Sequence, residues 1–182
     1  MRLVISITGR DQAGIIASLS GAIFDAGGNL EDASMTILEG EFAMIALAAF
    51  KTLASAILFQ KEISTLEKEM GLTITVRAIN RRLVRGEKHA YGTVPWILSV
   101  LGRDQAGIVH KICQLFALRG LNVTDLKSRI LGHGKKAAYA LILEVDMPRK
   151  GSHKESIVKA LKTLEKRLKI PLSFKPIEPL TA

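Results

Sequence analysis

Two aspartates, Asp11 and Asp104, stand inside the same seven-residue string, Gly-Arg-Asp-Gln-Ala-Gly-Ile, at residues 9–15 and 102–108. In each copy the string follows a short apolar run and precedes residues at helical spacing, so the aspartate falls between a strand and a helix start. A helix N-terminus offers unpaired N–H groups and a partial positive charge, which suit a carboxylate. An acidic side chain beside it suits an ammonium group. Together they suit the two charged groups of an amino acid. The spacing has a plainer reading, in which Asp11 and Asp104 cap their helices or order the turn and Gly14 and Gly107 supply backbone freedom. A second string, Gly-x-Asn-x-x-Asp, recurs as Gly27, Asn29, Asp32 and as Gly120, Asn122, Asp125. There the asparagines can make the turn into a strand, with the aspartates toward solvent.

Other reactive residue types give weaker signals. His89, His110, His133 and His153 lack metal-ligand spacing, so neither a metal nor a cofactor is expected. Cys113, the only cysteine, falls on the apolar side of its helix and reads as core. Ser20, Ser34 and Ser128 have no base at a recognisable spacing, and no phosphate loop, nucleophile elbow or zinc motif occurs. The residues point to binding without catalysis. An acylphosphatase-like phosphate loop at residues 7–14 is the enzymatic alternative, and Asp11 beside Arg10 would repel a phosphate there.

The elements that position these residues come from an internal repeat. The two seven-residue strings, and the two Gly-x-Asn-x-x-Asp strings, are related by one offset, from Gly9 to Gly102 and from Gly27 to Gly120. Two motifs in one register indicate two homologous modules. Leu3–Thr8 and Pro95–Leu101 read as strands, followed by helices with Ile15, Ile16, Leu19 and Ile23, and Ile108, Val109, Ile112, Leu115 and Phe116, at helical spacing. Strands at 30–38 and 123–131 lead through Glu39-Gly40 and Gly132-His133-Gly134 to apolar strands at 42–50 and 137–147. Helices at 54–70 and 154–168 and strands at 72–79 and 172–177 complete each copy. The class is α+β, with two ferredoxin-like βαββαβ modules in tandem. The expected division is a first module at 1–80, a basic linker at 81–93 and a second module at 94–182. The run Phe42–Phe50 is apolar almost throughout, so both faces of that strand are expected to be covered, by the sister module or by a second chain. A homo-oligomer, in the simplest case a dimer, or a tight tandem pair follows.

Charge divides unevenly. Residues 1–80 hold 6 Lys+Arg against 9 Asp+Glu, whereas residues 94–182 hold 16 against 7. The basic half admits a nucleic-acid-binding alternative, but the low aromatic content, 5%, offers few bases a stacking partner, and direct nucleic-acid binding is not expected. No apolar run is long enough to span a membrane, the pattern starts at Leu3 with no room for a signal peptide, and one cysteine suits a reducing compartment. The expectation is a cytoplasmic protein.

The strand, Gly-Arg-Asp-x-x-Gly-Ile, helix and Gly-x-Asn-x-x-Asp order resembles the ACT domain in both halves. A chain of two ACT domains and nothing else resembles the glycine cleavage system transcriptional repressor family. The departure is Ala13 and Ala106, where family members often carry proline. The resemblance implies a regulatory protein that binds a small ligand, commonly an amino acid, and acts through a protein partner, with a role in transcriptional regulation of amino-acid metabolism. It places the ligand between the loop after the first strand and the Gly-x-Asn segment, usually at an interface between domains. Residue by residue, that implicates Asp11, Ala13, Gly14, Ile15 and Asn29, and in the second copy Asp104, Ala106, Gly107, Ile108 and Asn122.

Overall fold

Alternating β-branched residues, helix-period apolar stripes and glycine turns resolve into twelve elements among the described residues. The computed structural model describes residues 1–80, 88–134, 137–150 and 153–177. The chain forms two compact units, Met1–Leu83 and Val84–Ala182. The first contains β1 (Arg2–Arg10), α1 (Ile15–Asp25), β2 (Gly28–Leu38), β3 (Glu41–Phe50), α2 (Leu53–Met70) and β4 (Thr73–Ile79). The second contains β5 (Thr93–Gly102), α3 (Ile108–Ala117), β6 (Val123–Leu131), β7 (Ala138–Pro148), α4 (His153–Leu168) and β8 (Leu172–Pro176). Each unit is a four-stranded antiparallel sheet, ordered β2-β3-β1-β4 or β6-β7-β5-β8. This is the ferredoxin-like βαββαβ arrangement, twice.

Each unit has its own core on the helix side of its sheet. In the first, Leu3, Ile5 and Ile7 of β1 meet Ile15, Leu19 and Ile23 of α1, with Phe59 and Ile63 of α2. Phe50 and Phe59 pack with ring centroids 5.1 Å apart. In the second, Leu98, Val100, Leu141 and Leu143 meet Ile112, Phe116, Ile157 and Leu161. Burial of this aliphatic surface, at about 25 cal/mol per Å², drives both cores.

The strand Phe42–Phe50 looks uniform in sequence yet alternates in burial. Phe42, Met44, Ala46, Ala48 and Phe50 are buried, and Ile45 between them is 54% exposed. In β7, Leu141, Leu143 and Val145 are buried while Ile142 is 45% exposed. Within its own unit, each strand leaves its second face open at those positions.

Of the expected linker, residues 81–87 lie outside the described residues. Lys88, His89, Ala90 and Gly92 contact the rest of the second unit. Asp146, only 3% exposed, accepts hydrogen bonds from the Ala90 amide at 2.8 Å and contacts His89 Nδ1 at 2.7 Å. Lys88 pairs with Glu144 at 2.6 Å, and Thr124 donates to the same carboxylate oxygen at 2.8 Å. Among the described residues no helix is long and apolar enough to cross a membrane.

Candidate functional site

The repeated seven-residue string forms the loop between the first strand and first helix of each unit, and both loops are built alike. Gly9 stands where any Cβ would come within 2.7 Å of Leu72 Cδ2, and Gly102 where it would come within 2.7 Å of Ile170 Cγ2. Glycine there lets the strand end lie against the turn that follows the second helix. Next in the loop, the Gln12 amide donates to the Met70 carbonyl at 2.7 Å, and Gln105 donates to the Leu168 carbonyl at 3.1 Å. These carbonyls belong to the last residues of α2 and α4, where no intrahelical donor is available. Across the same turns, Glu67 accepts from the Ile74 amide at 2.8 Å and Glu165 from the Leu172 amide at 3.1 Å. In the first unit the Asp11 amide also donates to Gly40 at 2.8 Å, joining the loop to the β2–β3 turn.

The helix starts correct one reading of the sequence. Neither Asp11 nor Asp104 caps a helix. The N-caps are Gly14, with φ +100°, and Gly107, with φ +86°, and neither start has a side-chain cap. That left-handed backbone excludes other residues at low cost, and the aspartates stand three residues too early to reach the first turn. Asp11, Ala13 and Gly14 are exposed, as are Asp104, Ala106 and Gly107. Ile15 and Ile108 are each 2% exposed and serve the cores, so only their backbone is open to a ligand.

Asn29 and Asn122 are exposed but lie elsewhere in their units. Asn29 pairs with Ala49, and Ala49 with Arg2, at the end of the sheet where β1 begins. Asp11 follows Arg10, which pairs with Glu41 at the other end. The eight steps from Arg2 to Arg10 span roughly 26 Å at ordinary strand rise. The second copy repeats this: the Asn122 carbonyl accepts from Asp146, which pairs with Pro95, while Asp104 follows Gly102. Within one unit, then, the loop residues come together and the asparagine does not join them. The Gly-x-Asn-x-x-Asp string marks a β-bulge instead. The register shifts between Leu30 and Asp32 and, at the matching place, between Val123 and Asp125. The extra residues are Glu31, which pairs with Arg2 at 2.7 Å, and Thr124, which bonds Glu144.

Comparison with known proteins places this architecture. The ACT domain model matches residues 1–77. A UPF0237 protein of Corynebacterium diphtheriae is 35% identical over 79 residues, covering 43% of this chain and 89% of the relative. The chain belongs to the ACT-domain family. A UPF0237 protein of Methanocaldococcus jannaschii is 31% identical over 77 residues, 42% of this chain and 86% of the relative. Two solved structures match both ACT modules together. An unknown protein from Galdieria sulphuraria has a TM-score of 0.79 at 24% identity, over 97% of this chain and 98% of its own. A protein identified provisionally as a glycine cleavage system transcriptional repressor has a TM-score of 0.69 at 17% identity, over 98% of each chain. At these identities the likeness is one of fold.

Two features of the ACT modules escaped the sequence reading. Gln12 and Gln105 were signalled only by their exact repetition, since an exposed glutamine in a turn has no spacing rule of its own. The Lys88–Glu144 and His89–Asp146 contacts join residues more than fifty positions apart and left no local pattern. At Glu144, burial alone pushes the carboxyl up, but the hydrogen bonds from Lys88 and Thr124 and the nearby charges outweigh it and hold it below the usual range. Burial pushes the Cys113 thiol up, and Cys113 packs against the core of the second module.

Proposed function

We propose that this is a non-catalytic regulatory protein that binds an amino acid or related small carboxylate and passes the bound state to a protein partner. The observation that carries the reading is the duplicated loop. Gly9 and Gln12, and again Gly102 and Gln105, fix its base to the far helix–strand turn, while Asp11 and Asp104 stay exposed before a glycine-capped helix start. First-turn N–H groups of α1 or α3 would take the ligand carboxylate, and the aspartate would take its ammonium. Membership of the ACT family supports ligand-linked regulation. The whole-chain likeness to a glycine cleavage system transcriptional repressor makes control of amino-acid metabolism the setting of choice.

The nucleic-acid alternative finds little support in the second module. The lysine-bearing side of α4 is solvated, and the aromatic rings of Trp96 and Phe174 stack on each other at 4.8 Å between centroids rather than on an open face. The outward face of the sheet carries Lys127, Arg129 and Lys175 beside Glu144 and Ile142, and among the described residues of its strands it carries no aromatic ring.

Thermal melting of the full chain against a panel of free amino acids, glycine and serine included, tests the proposal. At least one member should raise the melting temperature, by about 2.7 kcal/mol of stabilisation at a hundredfold excess over its dissociation constant. Replacing Asp11 and Asp104 by Ala should remove the rise while the protein stays folded. A panel with no shift and no heat of binding sinks the reading.

A further inference from the structure

The helix layers of the two modules, superimposable in register, have diverged in opposite directions. Gln12→Met70 and Gln105→Leu168 fix the match of the second helices, as the shared loop fixes that of the first. Between α1 and α2 lies an open cleft of about 350 Å³ lined by Ser18, Ala22, Asp25, Glu62, Thr65 and Glu69. The small Ser18 and Ala22 line it together with the buried Leu66 and the carboxylates of Asp25, Glu62 and Glu69. Oε2 of Glu62 is buried and has no hydrogen-bond partner among the described residues, an unfavourable state for a charged oxygen. At the matching places of the second module, Ser18 and Ala22 become Lys111 and Leu115, and Asp25 becomes Leu118. Glu62 and Glu69 become Ala160 and Arg167. Leu118 stands 79% exposed, and Lys111 and Arg167 are exposed. An acidic cleft on one module thus has an apolar and basic counterpart on the other. Among the described residues, Asp25, Glu62 and Glu69 make no ion pair within the first unit, nor do Lys111 and Arg167 within the second.

We infer that the α1–α2 cleft is a docking surface for a second copy of this chain, which presents its α3–α4 face with Leu118 over Ser18 and Ala22. Lys111 and Arg167 of that copy supply the cations that Asp25, Glu62 and Glu69 lack. The occupant is a second copy because the acidic lining, the opposing cations and the exposed apolar Leu118 are all encoded on this chain, at equivalent positions. Opposite charges across such a contact set its register and strengthen it at low salt. A lone exposed leucine is ordinary on a surface, but one placed opposite Ser18 and Ala22, between three carboxylates and two cations, is a self-complementary fit.

Sedimentation equilibrium of the full chain at low and high salt decides the matter. The wild type should self-associate, more weakly as salt rises. Asp25→Lys with Glu69→Lys, both at exposed positions, should weaken association by about tenfold or more, while circular dichroism shows the fold intact. Adding Lys111→Glu and Arg167→Glu to the same chain should restore it, and Leu118→Ser should weaken it at every salt concentration. A monomeric wild type overturns the inference. So does association that ignores the first pair of reversals, as it would if the open sheet faces were the contact, or that the second pair fails to restore.

Discussion

The side chain of Gln12 donates to the carbonyl of Met70 at 2.7 Å, so the loop that carries Asp11 is held by the last residue of a helix 58 positions away. Gln105 and Leu168 repeat the bond at 3.1 Å. Each pairing removes an unmet acceptor at a helix C-terminus and fixes where the aspartate stands. Gln12→Ala and Gln105→Ala should each lower unfolding free energy by about 1 kcal/mol, the net worth of such a bond. Because the two sites lie in separate cores, the losses should add. Urea denaturation with an unchanged slope would show it, and an effect confined to one glutamine would break the equivalence.

The glycine that opens each loop makes a second comparison. An alanine Cβ at residue 9 would meet Leu72 Cδ2 at 2.7 Å and also the Leu72 backbone at 3.3 Å, whereas at residue 102 it would meet only side-chain atoms of Ile170. Both substitutions should destabilise, by about 1–3 kcal/mol as overpacking generally does. Gly9→Ala should cost more, since backbone yields less readily than an isoleucine rotamer. Melting curves of the two single variants, ranked against each other, check this.

The fold was legible because its signals are local and were written twice. Period-two and period-3.6 runs, with Gly27 and Gly120 closing the first helices, are enough to give βαββαβ. What the letters hid depends on distance or on direction. The alternation of β3 is invisible because Ile45 is as apolar as its buried neighbours, and only the helices decide which face is inside. The asparagines looked like partners of the loop because both motifs flank the same helix. That helix is also what separates them, carrying the chain back along the sheet from Asp11 to Asn29. The bulge at Glu31 and Thr124 needs the partner strand to be seen at all.

The acidic pair on the outward face of β7 gives a pH prediction. Glu144 is held below its ordinary range by Lys88 and Thr124 despite its burial. A lowered folded-state pKa stabilises the fold above the unfolded value, about 4.3, and that stabilisation is lost as pH falls through the folded value. Lys88→Met should therefore raise the Glu144 pKa in a carboxyl NMR titration and flatten the acid side of the stability profile, with no change near neutrality beyond the lost pair. Asp146→Ala should cost more at every pH, about 1–3 kcal/mol, because it leaves the Ala90 amide without its acceptor. A Glu144 titration indifferent to Lys88 would contradict the assignment.

The two ligand loops should not be equal. In the second module the Ile108 amide already donates to the Gln105 carbonyl at 3.3 Å, and among the described residues no matching bond forms from Ile15. One first-turn donor is thus spent at Ile108 and available at Ile15. For a ligand carboxylate that depends on such donors, the first module offers the better site. Asp11→Ala should remove most of the amino-acid-induced rise in melting temperature, and Asp104→Ala a smaller part. The position of Asn29, roughly 26 Å along the strand from the loop, adds a further condition. A ligand held within one module cannot touch it, so Asn29→Ala should leave the thermal shift in place. Loss of the shift in Asn29→Ala as complete as in Asp11→Ala would mean that another copy supplies the asparagine. Ligand binding and self-association would then have to rise and fall together, and the melting shift would grow with protein concentration.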